Sequence, residues 1–244
     1  MSNFRSILFS FIFYIWITIA MVASLPFIFF YRVIYRLNHY WSHSVMLLLK
    51  VIVGIDYKIE GLDNLPKEGG FVIASKHQSA WETIIAFTMF PKVVFVYKKE
   101  LGYIPIYGWY NRAYRNIKVD RGAGGRALKN VVRRAKNRVG KGHQVIIFPQ
   151  GSRTNFGVER KYKSAIYVMY QEGLPVYPAA LNSGDHWPKH GVRKPGTIVW
   201  KFLPAIEPGL SRDEFMAGLE AAIEVESNAI HSKYHKHGAG CGCH

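Results

Sequence analysis

Residues 7–31 form a run of 25 without a single charged side chain or histidine. About 20 predominantly apolar residues are enough for a helix to cross the hydrocarbon core of a bilayer, so whatever follows this run has to fold at a membrane surface. The run is rich in Phe, Tyr and Trp and continues directly into Arg32-Val33-Ile34-Tyr35-Arg36. It lacks the short apolar core and small-residue cleavage site of a signal peptide, and is expected to be retained. Arg32 and Arg36 on one flank against Arg5 on the other place the remainder of the chain on the cytoplasmic side. A second geometry is open. Pro26 lies near the end of the run, and a second apolar stretch at 45–55, interrupted by Lys50, is too short to cross. The two segments can then form a helical hairpin lying in the interface.

The 244 residues suffice for one sizeable core, and no repeat or interdomain linker is visible. The expected organisation is a membrane-anchoring segment at 1–55, one catalytic domain at 56–236 and a disordered tail at 237–244. That tail holds both cysteines, Cys241 and Cys243, in a glycine-rich setting without a second ligand pair, which supports neither a disulfide framework nor a zinc site. A formal net charge of +16 calls for an anionic partner: nucleic acid, an acidic bilayer or phosphorylated small molecules. Lys92, Lys98, Lys99, Arg112, Arg115, Lys118 and Arg121 are interleaved with Tyr97, Tyr103, Tyr107 and Tyr110, a pattern that basic, stacking nucleic-acid grooves also show. Nucleic-acid binders rarely begin with a bilayer-length apolar span, so nucleic acid is not expected as a partner, and the tyrosines read as core residues or interfacial anchors.

Behind the anchor, short β-rich runs at 57–60, 71–75, 93–97, 116–119, 144–148, 176–181 and 197–203 alternate with helical stretches, which indicates an α/β domain. At 125–139, Leu128, Val131, Val132, Ala135 and Val139 share one helical face opposite Lys129, Arg133 and Lys136. Those charges suit either a solvated face or contact with anionic lipid headgroups. A last helix is expected over 212–230, opened by the capping box Ser211 and Glu214.

Two loops carry the chemistry. The apolar strand 71–75 leads into His77-Gln78-Ser79-Ala80-Trp81-Glu82, with a helix starting near Trp81. A histidine at a strand's C-terminal end can take a proton from an attacking alcohol if a carboxylate fixes its tautomer, and Glu82 is the nearest one. Ser79 and Glu82 also spell a capping box, so Glu82 is equally readable as a helix cap. The second loop, Phe148-Pro149-Gln150-Gly151-Ser152-Arg153-Thr154, follows another apolar strand. Gly151 permits close backbone approach, Ser152 and Thr154 offer hydroxyls, and Arg153 offers a planar fork of donors, which together suit a phosphate monoester.

Over residues 56–205 the chain resembles the glycerolipid acyltransferase family that includes bacterial 1-acyl-glycerol-3-phosphate acyltransferases. His77 and Glu82 match the family's His-x4-Asp motif, Leu101 to Arg121 its central glycine- and arginine-bearing motif, Phe148 to Arg153 its Phe-Pro-Glu-Gly-Thr-Arg motif, and Val176-Tyr177-Pro178-Ala179 its proline-containing motif. The resemblance implies a single αβα domain with a mixed central sheet and acyl transfer from a thioester carrier to the sn-2 hydroxyl of lysophosphatidate. It implies His77 as base oriented by Glu82, and phosphate binding by Arg153, Gly151, Ser152, Arg121 and one of Lys98 or Lys99. It implies no metal and no bound cofactor, acyl-ACP or acyl-CoA as co-substrate, and an inner-membrane enzyme facing the cytoplasm among anionic lipids. Another lyso-lipid acceptor, or a non-enzymatic protein binding membrane surfaces through basic charge, are the competing readings. Two departures stand out: Glu82 replaces the family's Asp, and Gln150 its Glu, which would leave Arg153 less balanced.

Overall fold

The computed structural model describes residues 2–120, 122, 124–154, 157–158 and 160–238. Helix α1 (Ser2–Ser24) ends where Pro26 sits in a 3-10 turn, Leu25–Phe27, and the chain returns as α2 (Tyr31–Leu48) and a π turn, Leu49–Val53, closed by Gly54 at φ +81°. The two arms pack against each other: Phe13 meets the Trp41 ring at 6.1 Å, and Trp16 Nε1 donates to Ser44 Oγ at 2.7 Å. The hairpin is therefore longer than the two apolar segments suggested, because its second arm starts at Tyr31 rather than at 45. α2 carries Arg32, Arg36 and His43 on its exposed side and sets the half-buried His39 against the Phe87 carbonyl, so its sequence is not an apolar run.

α1 does not stand free of the rest. The Arg193 backbone N–H donates to Ser6 Oγ, Phe9 and Phe13 pack edge-on against Trp187, and the Tyr110 hydroxyl reaches the Met21 carbonyl and Ser24 Oγ. Ser6, Phe9 and Phe13 are buried, whereas Phe4, Ile7, Phe11, Ile15, Ile19 and Val22 remain exposed at helical spacing. The window Ser2–Phe27 has a mean hydropathy of 2.2 and is long and apolar enough to cross a membrane.

Seven strands follow: β1 (Ile55–Glu60), β2 (Phe71–Ser75), β3 (Val93–Lys98), β4 (Ile117–Val119), β5 (Gln144–Ile147), β6 (Val176–Leu181) and β7 (Gly196–Phe202). They form one sheet in the order β1-β7-β6-β2-β5-β3-β4. β6 and β7 pair antiparallel and the other neighbours parallel, so the sheet is mixed. The central runs became strands because their branched and aromatic residues alternate between two covered faces, while the edge strands β1 and β4 keep exposed residues. Phe71 and Ile73 of β2 and Ile146 of β5 point to one layer, shared with Phe9, Val45, Met46 and Leu49 of the hairpin and Trp81 and Ile85 of α3 (Trp81–Met89). Val72, Ala74, Val145 and Ile147 point to the other, with α5 (Gly124–Val139), α6 (Ala165–Gln171) and α8 (Arg212–Gly238). Two short helices, α4 (Tyr107–Ala113) and α7 (Ser183–His186), complete the αβα arrangement. α8 runs eight residues beyond its expected end at 230, so 237 and 238 belong to it, while Cys241 and Cys243 lie outside the described residues.

One contact fastening the hairpin responds to pH. The Tyr31 hydroxyl donates to His143 Nε2 at 3.0 Å, and His143 Nδ1–H donates to the Arg138 carbonyl at 3.2 Å. Burial, with the nearby charges of Arg138, Arg115 and Lys92, lowers the His143 pKa below its usual value. The unfolded chain therefore binds this proton more readily than the folded one, and stability falls as pH drops below about 6.5. His143→Gln should flatten the decline in melting temperature between about pH 7.5 and 5.5. Equal slopes for the two proteins would remove His143 from that account.

Candidate active site

β2 and β5 are sheet neighbours, with Ala74 beside Ile147, so the loops leaving their C-terminal ends emerge side by side. The Thr154 N–H donates to the His77 carbonyl at 2.9 Å, and the His77 ring stacks on Phe148 with centroids 3.9 Å apart and planes at 17°. Chain segments some 70 residues apart in sequence are thereby fixed against each other at the imidazole.

Glu82 is fully buried in the first turn of α3. Its Oε1 accepts from His77 Nδ1 at 3.0 Å and from the N–H groups of Gln78 and Ser79 at 2.7 and 2.8 Å, and its Oε2 accepts from the Ser183 hydroxyl at 3.0 Å. The helix cap and the histidine partner, alternatives at the level of spacing, are one arrangement on one oxygen. A carboxylate surrounded by donors only accepts, so His77 carries its proton on Nδ1 and keeps a basic lone pair on Nε2. Glu82, one methylene longer than the family's Asp, reaches the ring from the first turn of α3. The N–H groups at the start of α3 are engaged within the turn: those of Gln78 and Ser79 go to Glu82, and that of Trp81 goes to Ser79 Oγ at 3.1 Å.

The second loop turns tightly. The Gly151 N–H donates to the Phe148 carbonyl at 2.9 Å across Pro149 and Gln150, and Gly151 adopts φ +74°, which a side chain would strain. Next to it, Ser152 Oγ is shielded from solvent and meets no hydrogen-bond partner among the described residues, a polar atom left over for a ligand. His77, Ser79, Gly151, Ser152, Arg153 and Lys98 line one cavity of about 570 Å³. Its remaining wall is mostly apolar, with Ile84, Phe87, Phe95 and Phe148 from the domain and Ile17 and Trp41 from the hairpin. The geometry separates the two lysines that the sequence left equivalent. Lys98 faces this cavity, whereas Lys99 pairs with Asp120 at 2.6 Å and lines a neighbouring hollow. Arg121 lies outside the described residues.

Gln150 does not line the cavity, which corrects the expectation that it leaves Arg153 unbalanced. It is buried, donates to Glu224 Oε1 at 3.3 Å and accepts from the Thr154 hydroxyl at 3.1 Å. Glu224 of α8 also binds the buried Lys76 and accepts from the Tyr162 hydroxyl at 3.0 Å. Burial, then the Glu224 charge, push the Tyr162 pKa upward, so it remains a donor. Glu224, Lys76 and Ser183 were not anticipated, since 101 positions separate Ser183 from Glu82 and no local pattern marks them. Among the described residues, no group of three or more His, Cys, Asp or Glu side chains could hold a metal ion.

The family model described as Acyltransferase matches residues 56–182. A 1-acyl-sn-glycerol-3-phosphate acyltransferase of Pseudomonas aeruginosa is 36% identical over 197 residues, which cover 79% of this chain and 75% of that protein. The enzyme of the same name from Saccharomyces cerevisiae is 26% identical over 174 residues, 68% of this chain and 57% of that one. Among solved structures, the 1-acyl-sn-glycerophosphate (LPA) acyltransferase PlsC of Thermotoga maritima matches with a TM-score of 0.78 at 22% identity, over 94% of this chain and 98% of that one, which shows a shared fold.

Proposed function

Because this chain belongs to the Acyltransferase family, we propose that it moves a fatty acyl group from an acyl thioester to the sn-2 hydroxyl of lysophosphatidate, giving phosphatidate. It is an O-acyltransferase, and enzymes of this family need no bound cofactor. The observation that carries the reading is the meeting of a carboxylate-held imidazole, a phosphate-suited loop and an apolar wall in one cavity.

The His77 Nε2 lone pair takes the sn-2 hydroxyl proton as that oxygen attacks the thioester carbonyl, and Glu82 steadies the resulting imidazolium. The tetrahedral intermediate collapses, the carbon–sulfur bond breaks, and His77 returns the proton to the departing thiolate. No acyl-enzyme forms. Arg153, Ser152 and the Gly151 backbone hold the phosphate, Lys98 adds positive charge, and the apolar wall takes an acyl chain. The donor is acyl-CoA or acyl-ACP.

The chain associates with a membrane. α1 is tied to the domain from Ser6 to Ser24, which supports a hairpin lying in the interface with its exposed apolar side in lipid, rather than a detached span. Arg32 and Arg36, on the arm beside the apolar run, suit the anionic lipids of the cytoplasmic face of the inner membrane.

The direct test offers the detergent-purified protein labelled lysophosphatidate with acyl-CoA and acyl-ACP in separate reactions. Phosphatidate is the expected product, and its absence from both reactions, with the protein folded, would overturn the acceptor assignment. Arg153→Ala should raise KM for lysophosphatidate by roughly tenfold or more, with a smaller effect on kcat, and should narrow the preference for lysophosphatidate over a monoacylglycerol. An unchanged preference would remove Arg153 from phosphate recognition.

A further inference from the structure

Beside the reaction cavity lies a hollow of about 230 Å³ lined by Lys99, Arg112, Arg115, Lys118, Arg134 and Arg138. No carboxylate among the described residues lines it, and Asp120, which is outside the lining, is held by Lys99. Tyr97 and Asn116 belong to the walls of both spaces, so the hollow and the cavity of His77 adjoin. Arg134 and Arg138 also line a second basic hollow of about 270 Å³ over α5.

This concentration of cations works against the fold that holds it. Arg115 sits at φ +59°, a left-handed backbone conformation unusual for a residue with a side chain, with its guanidinium 3.9 Å above the Tyr31 ring. Arg138 Nε donates to the Arg115 carbonyl at 3.1 Å, and burial, then the charges of Arg115 and Arg134, lower the Arg138 pKa. Packed like charges without counter-charge are stabilised by an anion, and four arginine forks favour phosphate groups over an isolated carboxylate. A space of this size admits phosphates and a ring but not an α-helix, about 10 Å or more across. The exposed Tyr103 ring at its edge offers a stacking surface.

We propose that this hollow binds the phosphorylated nucleotide end of an acyl-CoA donor, whose arm passes Tyr97 and places the thioester beside His77. The proposal rests on the acyltransferase reading and assigns its donor a second site, separate from the one that holds the acceptor phosphate. It also gives the lysines adjacent in sequence separate duties, Lys98 toward the acceptor and Lys99 toward the donor.

The test uses the full chain in detergent. Adenosine 3′,5′-bisphosphate is titrated against wild type, and against a Lys118→Gln/Arg134→Gln double variant. Both positions suit substitution: Lys118 is an exposed residue of the edge strand, and Arg134 donates to Asn130 on its own helix. The bisphosphate is expected to bind wild type and to weaken about tenfold or more in the variant. In kinetics, KM for acyl-CoA should rise by a similar factor, while KM for the matching acyl-pantetheine, which lacks the nucleotide, should hold. Unaltered bisphosphate affinity, or equal losses with both thioesters, would overturn the site. So would a loss confined to acyl-ACP, or one confined to binding of phosphatidylglycerol vesicles, since these would mark a protein-docking or a lipid-headgroup surface instead. If wild type makes no phosphatidate yet binds the bisphosphate in this Arg134-dependent way, the acceptor reading falls and the nucleotide site stands.

Discussion

Turnover by His77→Ala should fall by about a thousandfold while the melting temperature stays close to that of wild type. The ring is partly exposed to the cavity, and its main attachments are the stack on Phe148 and one hydrogen bond to Glu82, so its removal takes away the base without opening the core. Glu82→Gln should behave differently. Glu82 accepts four hydrogen bonds while fully buried, so an amide that must turn a donor toward one of these groups impairs both activity and stability, by about 1–3 kcal/mol in the latter. Phosphatidate formation and thermal unfolding, measured on both variants, separate the two roles. More than a tenth of wild-type activity in His77→Ala would require another base.

The second large effect lies behind the cavity. Glu224→Ala should destabilise the protein by about 3 kcal/mol, because it strands the ammonium of Lys76, whose side chain is only 3% exposed. The same substitution releases Gln150 and Tyr162, and with them the loop that carries Arg153. Gln150→Glu is expected to destabilise as well, by setting two carboxylates against each other. Combining Gln150→Glu with Glu224→Gln restores one negative charge to the cluster, and should recover much of both single losses. Chemical denaturation of the four proteins measures this coupling. Strict additivity would mean that the two positions do not share a charge, and that Gln150 is not answered from α8.

How far the sequence foretold this arrangement differs between its parts for identifiable reasons. The strands were legible because each is a short run rich in branched and aromatic residues, and the central ones are buried on both faces, as in the Val72 and Ile73 pair. α5 was legible because Val131, Val132 and Ala135 repeat at helical spacing beneath its basic face. α2 was not, since its buried stripe of Ile34, Tyr35, Val45 and Met46 is interrupted by arginines and histidines. In the site, His77 and Glu82 are five positions apart, within reach of a motif. Ser183 and Glu224 act from other elements, and only the order of strands and the course of α8 bring them near. The difference between Lys98 and Lys99 follows from the alternation of neighbouring side chains where β3 ends, which composition does not reveal.

The hairpin fills one of the three layers: Phe9, Val45, Met46 and Leu49 share a core with Phe71, Ile73 and Trp200 of the sheet. In chain order these helices precede β1, and the outer side of α1 is apolar. The sheet is then completed against a layer that these helices supply. A chain shortened to begin at 56 would expose that sheet face and should accumulate as aggregate rather than as a water-soluble acyltransferase.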